Sequence, residues 1–189
     1  LILPDLLKAI SIDGNEWRFG RKLTEYYLIK QHFQKALSTS GKYYSKFPGN
    51  YYLGLIYVRS LVKNNLFEDA VKALNKIVVL PNEGAVEGRA LYKEANLMLA
   101  LKQMEKKDYT GALRYIETSR LWPENLGVGK PYDADMDDRL ENWLSYKCYD
   151  KMGDKRNARE MLSKILSFLP QATAYTNNYL SANILVSAW

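Results

Sequence analysis

The sequence predicts an all-α chain, a solenoid of four helical hairpins followed by a terminal helix. Three observations lead there. The first is an internal period: Phe33-Gln34-Lys35-Ala36, Phe67-Glu68-Asp69-Ala70, Tyr109-Thr110-Gly111-Ala112 and Lys155-Arg156-Asn157-Ala158 align, with Ala in fourth place each time and three of the four opening on an aromatic ring. The second is the stripe beyond each Ala, at four and seven residues: Ser40 and Tyr43, Leu74 and Ile77, Ile116 and Ser119, Leu162 and Ile165. Steps of three and four keep side chains on one side of a helix. The third is a stop. Pro48, Pro81, Pro123 and Pro170 lie eleven or twelve residues past the Ala, and a ring without an N–H ends a helix.

In chain order, residues 1–16 carry a short helix over Asp5–Ile10 and a linker. The first unit, 17–50, opens with a helix over Trp17–Gln31, and the second, 51–84, with one over Tyr51–Asn64 marked by Leu53, Ile56, Tyr57 and Leu61. The third, 85–136, opens with Ala85–Lys106, and the fourth, 137–171, with Asp137–Met152. Residues 172–189 are a capping helix or a truncated fifth unit, amphipathic over Asn177–Trp189. The Ala positions are 34, 42 and 46 residues apart, so the stretches Leu80–Arg89 and Trp122–Asp133 read as insertions in a regular array. A small Ala lets the two helices of a hairpin approach, and the aromatic three residues earlier fills the space beside it. Ser40, Gln103 and Ser119 stand where a large apolar residue is expected.

Composition narrows the function classes. The chain has 189 residues, 47% hydrophobic, with 27 Lys and Arg against 21 Asp and Glu. One Cys excludes a disulfide within the chain, and Cys148 with His32 supplies too few ligands for a structural zinc site, so no metal is expected. No apolar run approaches the roughly 20 residues that span a bilayer. The opening Leu1-Ile2-Leu3-Pro4 and the closing Ser187-Ala188-Trp189 suggest part of a longer chain.

No catalytic constellation emerges, and the chain is expected not to be an enzyme. Gly127-Val128-Gly129-Lys130 invites a phosphate-loop reading, but Glu124 occupies a Gly position and Pro131 the hydroxyl position, so nucleotide binding is disfavoured and no cofactor is expected. Asp133, Asp135 and Asp137 alternate like calcium ligands, yet Asp138 and Leu144 stand where that loop needs Gly and Glu. An acidic first turn on the following helix explains the cluster without metal. His32 has no acid or Cys at catalytic spacing, and Cys148 sits where a small buried hydrophobe belongs. The net charge of +6 and 15 Tyr raise nucleic acid as a partner, but the cations are dispersed among acids and no continuous stripe is evident, so that class is disfavoured.

The hairpin pattern resembles the tetratricopeptide repeat superfamily, over Trp17–Pro170. The second unit carries the likeness through Tyr57, Leu61, Phe67, Ala70, Leu74 and Pro81, and the fourth through Tyr146, Tyr149, Gly153, Ala158, Leu162, Ile165 and Pro170. The resemblance implies a right-handed superhelix whose concave face is lined by the first helix of each unit. The two insertions are similar to inter-repeat segments of large bacterial proteins of uncharacterised function, which carry β-rich domains upstream of such repeats. That likeness implies a β-rich, carbohydrate-related part outside this chain.

Projecting the repeat places Arg18, Arg21 and Glu25 on the concave face from the first unit, and Tyr52, Leu55, Arg59 and Lys63 from the second. The third contributes Leu97 and Leu101, and the fourth Trp143 and Lys147, giving a groove that is basic at one end and apolar toward the other. Family members that grip the carboxylate tail of chaperones use cations and amides where this chain has Arg21, Glu25, Ile56, Glu94 and Met98, which disfavours that ligand. The expected function is non-catalytic scaffolding: a peptide, a partner protein or an upstream domain of the same chain seated on aromatic and apolar anchors, with Arg21, Arg59 and Lys147 orienting it. The rival expectation is an accessory region of a larger, carbohydrate-active enzyme to whose site the Trp122–Asp133 insertion contributes.

Overall fold

The computed structural model describes residues 3–81, 85–133 and 136–168. Among these, the regular elements are helices: α1 (Leu3–Ile12), α2 (Trp17–Ile29), α3 (Phe33–Lys46), α4 (Tyr51–Lys63), α5 (Phe67–Leu74), α6 (Glu87–Glu105), α7 (Tyr109–Ser119), α8 (Arg139–Met152) and α9 (Lys155–Leu166), with a 3-10 turn at Glu124–Leu126. The chain is all-α. Neighbours in sequence pack together, α1 on α2, α2 on α3, α3 on α4, α4 on α5, α7 on α8 and α8 on α9. The expected terminal helix over Asn177–Trp189 and the stop at Pro170 lie outside the described residues.

The four predicted hairpins turn in the same way. Five residues before each marker Ala, the backbone enters the left-handed region, at Gln31 (φ 57°), Asn65 (φ 60°), Lys107 (φ 61°) and Gly153 (φ 77°). The next N–H then reaches back five residues, from His32 to Tyr27 O (2.8 Å), Leu66 to Leu61 O (3.0 Å), Asp108 to Gln103 O (2.9 Å) and Asp154 to Tyr149 O (2.9 Å). This closure satisfies a carbonyl that the ending helix leaves open. Asp108 and Asp154 then start α7 and α9 by accepting from the N–H of Gly111 (2.8 Å) and Asn157 (3.1 Å). The marker Ala side chains are buried in all four hairpins, as are the stripe positions behind them except Leu162, on the last described helix.

By contact the chain parts into two units, Leu1–Ala95 with Pro123–Val128, and Asn96–Trp122 with Gly129–Trp189. In the first, glycine makes room for the close approach. A Cβ on Gly20 would overlap the Tyr43 ring, and one on Gly54 would come within 2.9 Å of Ile77. These two glycines stand 34 residues apart, one repeat, each 23 residues before the residue it accommodates. Helix α5 is shorter than its stripe suggests. It stops at Leu74, and the chain beyond it is pinned by the later insertion: Asn125 Nδ2 donates to Leu74 O (2.9 Å) and Ile77 O (2.7 Å), while Val79 N–H donates to Asn125 O (2.8 Å). Leu126 is fully buried, and Gly127 (φ 73°) turns the strap away where a Cβ would lie 2.7 Å from Val79 O.

The second unit is built on Leu97, Ala100, Ala112, Ile116, Leu144 and Cys148, with Met104, Tyr109, Leu113, Tyr115 and Leu140 packed against them. Ser119, expected to be large and apolar, is fully buried with its Oγ donating to Ile116 O (2.6 Å). Ser40 does the same in the first unit, donating to Ala36 O (2.8 Å). A hydroxyl that bonds to its own helix costs no unpaired donor in a tight seat.

The shared turn can be tested by stability. A non-glycine residue in the left-handed region carries a cost of roughly 1–2 kcal/mol. Gly153 has open space where a Cβ would go, so Gly153→Ala is expected to destabilise by about 1 kcal/mol through backbone strain alone. Lys107→Gly, at the equivalent turn, is expected to be neutral to stabilising by up to about 1 kcal/mol. Urea unfolding of both variants checks the pair. Equal losses would show that the four turns are not equivalent.

Candidate functional site

The predicted lining residues fall in both units, and each group is described in its own. In the first unit, α2 and α4 pack together and bring an aromatic cluster to the surface. Trp17 and Tyr52 are stacked at 6.1 Å with planes 11° apart, and Tyr51 lies 4.1 Å from Tyr52. Arg21 sits over the Tyr52 ring and Arg18 over Trp17, each at 5.1 Å. The hydrogen bond between the two tyrosines is the main cause holding the Tyr51 hydroxyl above its ordinary pKa. Tyr52 is 44% exposed, so the ridge is open to a ligand.

The expected basic end of the groove is neutralised by its own acids. Arg18 pairs with Glu16 (3.1 Å), Arg21 with Glu25 (3.1 Å), Arg59 with Glu87 (2.5 Å) and Lys63 with Glu94 (3.8 Å). Pairs this exposed contribute little to stability, and a ligand can displace them. They nevertheless remove the net positive potential that the residue types alone suggest. Leu55 is a further difference. It is 6% exposed and converges with Leu126 on Gly88, because the strap at 123–128 covers this side of α4.

In the second unit, Leu97 is also buried, at 8%, as a member of the core, whereas Leu101 is 36% exposed. Trp143 stacks on Tyr146 at 5.2 Å, with Lys147 over its ring at 5.4 Å. Two of the nine predicted lining residues, Leu55 and Leu97, therefore support their faces from beneath, and Arg18, Arg21, Tyr52, Arg59, Leu101, Trp143 and Lys147 remain at least partly accessible. Trp17 and Tyr51 join this face although the repeat projection does not include them. The signal was present, since the two stand one 34-residue period apart at the starts of α2 and α4.

The sequence also gave no warning of a buried charged group at the start of α8. Arg139 is 4% exposed and forms a two-pronged pair with Asp137, Nε to Oδ1 at 2.9 Å and the terminal nitrogen to Oδ2 at 2.8 Å. Its guanidinium lies 4.6 Å from the centre of the Phe168 ring. This pair answers the calcium-like spacing: Asp137 holds Arg139, Asp133 holds Lys130 (2.9 Å), and Asp135 lies outside the described residues. The phosphate-loop look-alike resolves in the same way, with Gly127 closing the 3-10 turn at the end of the strap. His32 occupies the position before α3 in the hairpin turn without a side-chain capping bond, its ring edge-on to Tyr27 at 6.3 Å. Among the described residues no group of three or more His, Cys, Asp or Glu side chains is placed to hold a metal ion.

Two predictions follow from these placements. Asn125→Ala removes both hydrogen bonds that hold the chain beyond α5 and is expected to destabilise the protein by about 1–3 kcal/mol; Asn125→Asp, which keeps the shape but turns the donor into an acceptor facing two carbonyls, should be at least as damaging in the same melt. The second concerns Cys148, fully buried, whose thiol burial pushes up to about 11. The thiolate reacts, so native protein at pH 8 should alkylate far more slowly than unfolded protein. A native pKa above the unfolded one favours folding below the unfolded value, so this contribution should fade as pH rises through about 9 to 11. Equal alkylation rates in the two states would refute the burial.

Among the described residues no helix is long and apolar enough to cross a membrane. No protein-family model matches the chain, and a search of curated proteins returns no match.

Proposed function

We propose that this chain is a non-catalytic interaction or scaffolding module, a tetratricopeptide-like array whose first helices present a face for a peptide or a neighbouring domain. The observation that supports it most is the recurrence of one hairpin: a left-handed turn residue five positions before a buried Ala, with the same back-reaching hydrogen bond each time. Units of this kind bury their apolar sides only by stacking on one another, and stacking four of them gives a right-handed superhelix lined by α2, α4, α6 and α8. The Trp17–Tyr51–Tyr52 ridge then supplies the anchor. Aromatic rings give much contact area for little lost freedom, and clusters of them commonly dominate an interface.

Because each cation beside the ridge already has an acid, the ligand favoured here is apolar or aromatic and carries little charge. The exposed side chain of Tyr132, at 85%, favours a second reading in which the Gly129–Asp133 stretch reaches toward a neighbouring domain. The test is to select binders from a random peptide library against the whole chain and measure them on variants. Tyr52→Ala with Trp17→Ala is expected to weaken binding by about tenfold or more, with little change on raising the salt. Binders that ignore this double change while the variant keeps its melting temperature would place the binding face elsewhere.

A further inference from the structure

From Tyr26 to Phe67 the chain contains no Asp or Glu, yet it carries Lys30, Lys35, Lys42, Lys46, Arg59 and Lys63. The structure divides these six cations into two groups. Arg59 and Lys63 meet Glu87 and Glu94. Lys30, Lys35, Lys42 and Lys46 are exposed and make no ion pair among the described residues. Lys35 instead lies 5.9 Å from the centre of the Tyr27 ring, and Lys46 rests over Phe47 and donates to the Asn15 side chain. Asp13, whose charge reaches the Tyr43 hydroxyl, accepts from Asn15 N–H within its own loop.

Three of these lysines share one line on α3. At about 100° per residue, Lys35, Lys42 and Lys46 point within roughly 40° of each other and span about 16 Å along the axis. The exposed Ser38 and Ser45 flank them, and Lys30 and His32 extend the stripe at the hairpin turn. The helix itself contains no carboxylate.

We infer that the outward side of α3 is a second docking surface, for an acidic segment of a partner protein. Four unpaired cations with neutral hydroxyl donors complement a run of Asp and Glu. Each would replace bulk counterions with a carboxylate, and the attraction would act at long range before contact. A nucleic acid fits less well. The stripe has no Arg to take a phosphate two-pronged, and the tyrosines beneath it are occupied, Tyr43 buried at 3% and Tyr44 stacked on Tyr57 at 5.4 Å, leaving no platform for bases.

The experiment titrates the whole chain with labelled poly-L-glutamate and, separately, with a DNA duplex. Poly-L-glutamate is expected to bind at about 0.05 M salt and weaken strongly at about 0.3 M. Lys35→Gln with Lys42→Gln and Lys46→Gln should lower its affinity by about tenfold, and the matching Lys→Arg triple should retain it. The control, Lys72→Gln with Lys164→Gln, removes two cations on α5 and α9 that pair with Asp69 and Glu160, and should change affinity less than about twofold. All the substituted side chains are at least partly exposed, and melting curves of each variant verify folding. The inference is overturned if poly-L-glutamate fails to bind at low salt, if the control loses as much affinity as the triple, or if the duplex binds more tightly than the peptide.

Discussion

Close approach of two helices over a buried Ala is the constraint on which each hairpin depends. Ala36, Ala70 and Ala112 have no exposed surface and Ala158 has 3%. Helices separated by the usual 8–10 Å or so mesh only when the side chains at the crossing are small. What faces the Ala region must therefore be hollow or compact, and the chain meets this in three ways. Gly20 and Gly54 vacate volume for Tyr43 and Ile77. Thr24, Ser40, Ser60 and Ser119, all fully buried, replace larger groups with hydroxyls that bond to their own helix carbonyls. The left-handed turn, lastly, brings the second helix back immediately, so the two axes are already close when the Ala is reached.

Features that depend on neighbours in sequence were legible before the structure. Ala, the stripe behind it and the apolar face of each first helix are all local, and α1, α2, α4, α6 and α8 begin and end within two residues of the expected bounds. Features that depend on distant partners were not. The stripe after Ala70 suggests a longer α5, because Ile77 continues the spacing; the chain instead leaves the helix at Leu74 and keeps Ile77 buried through a strap about fifty residues further on. Leu55 was placed on an open face for the same reason. A helix such as α4, buried at Leu53, Gly54, Leu55, Ile56 and Val58, is apolar on more than one side, and periodicity cannot say which side a remote Leu126 will cover.

The candidate face shows a related limit. Residue types counted singly made the first two units basic, and the counting is correct. Its consequence depends on Glu16, Glu25, Glu87 and Glu94, two of which are more than a quarter-hundred residues from the cations they neutralise. A charge map drawn from one helix at a time misses such pairs. The aromatic ridge is hidden for a different reason: Trp17 and Tyr51 stand at helix starts, and only the stacking of Trp17 on Tyr52 shows that α2 and α4 present these rings together.

Paired cations cluster with the rings of α2 and α4, while three lysines without an ion pair among the described residues, Lys35, Lys42 and Lys46, lie on α3, between those two helices in sequence and packed on both. Alternation of first and second helices in a hairpin array separates the two kinds of surface without any added element, because successive helices turn different sides to solvent. A neutral aromatic face and a carboxylate-free basic face on adjacent helices would, as proposed, select ligands by opposite physics: one through desolvated contact that salt barely affects, the other through long-range attraction that salt screens. Two ligands chosen by such different criteria would not compete for the same groups.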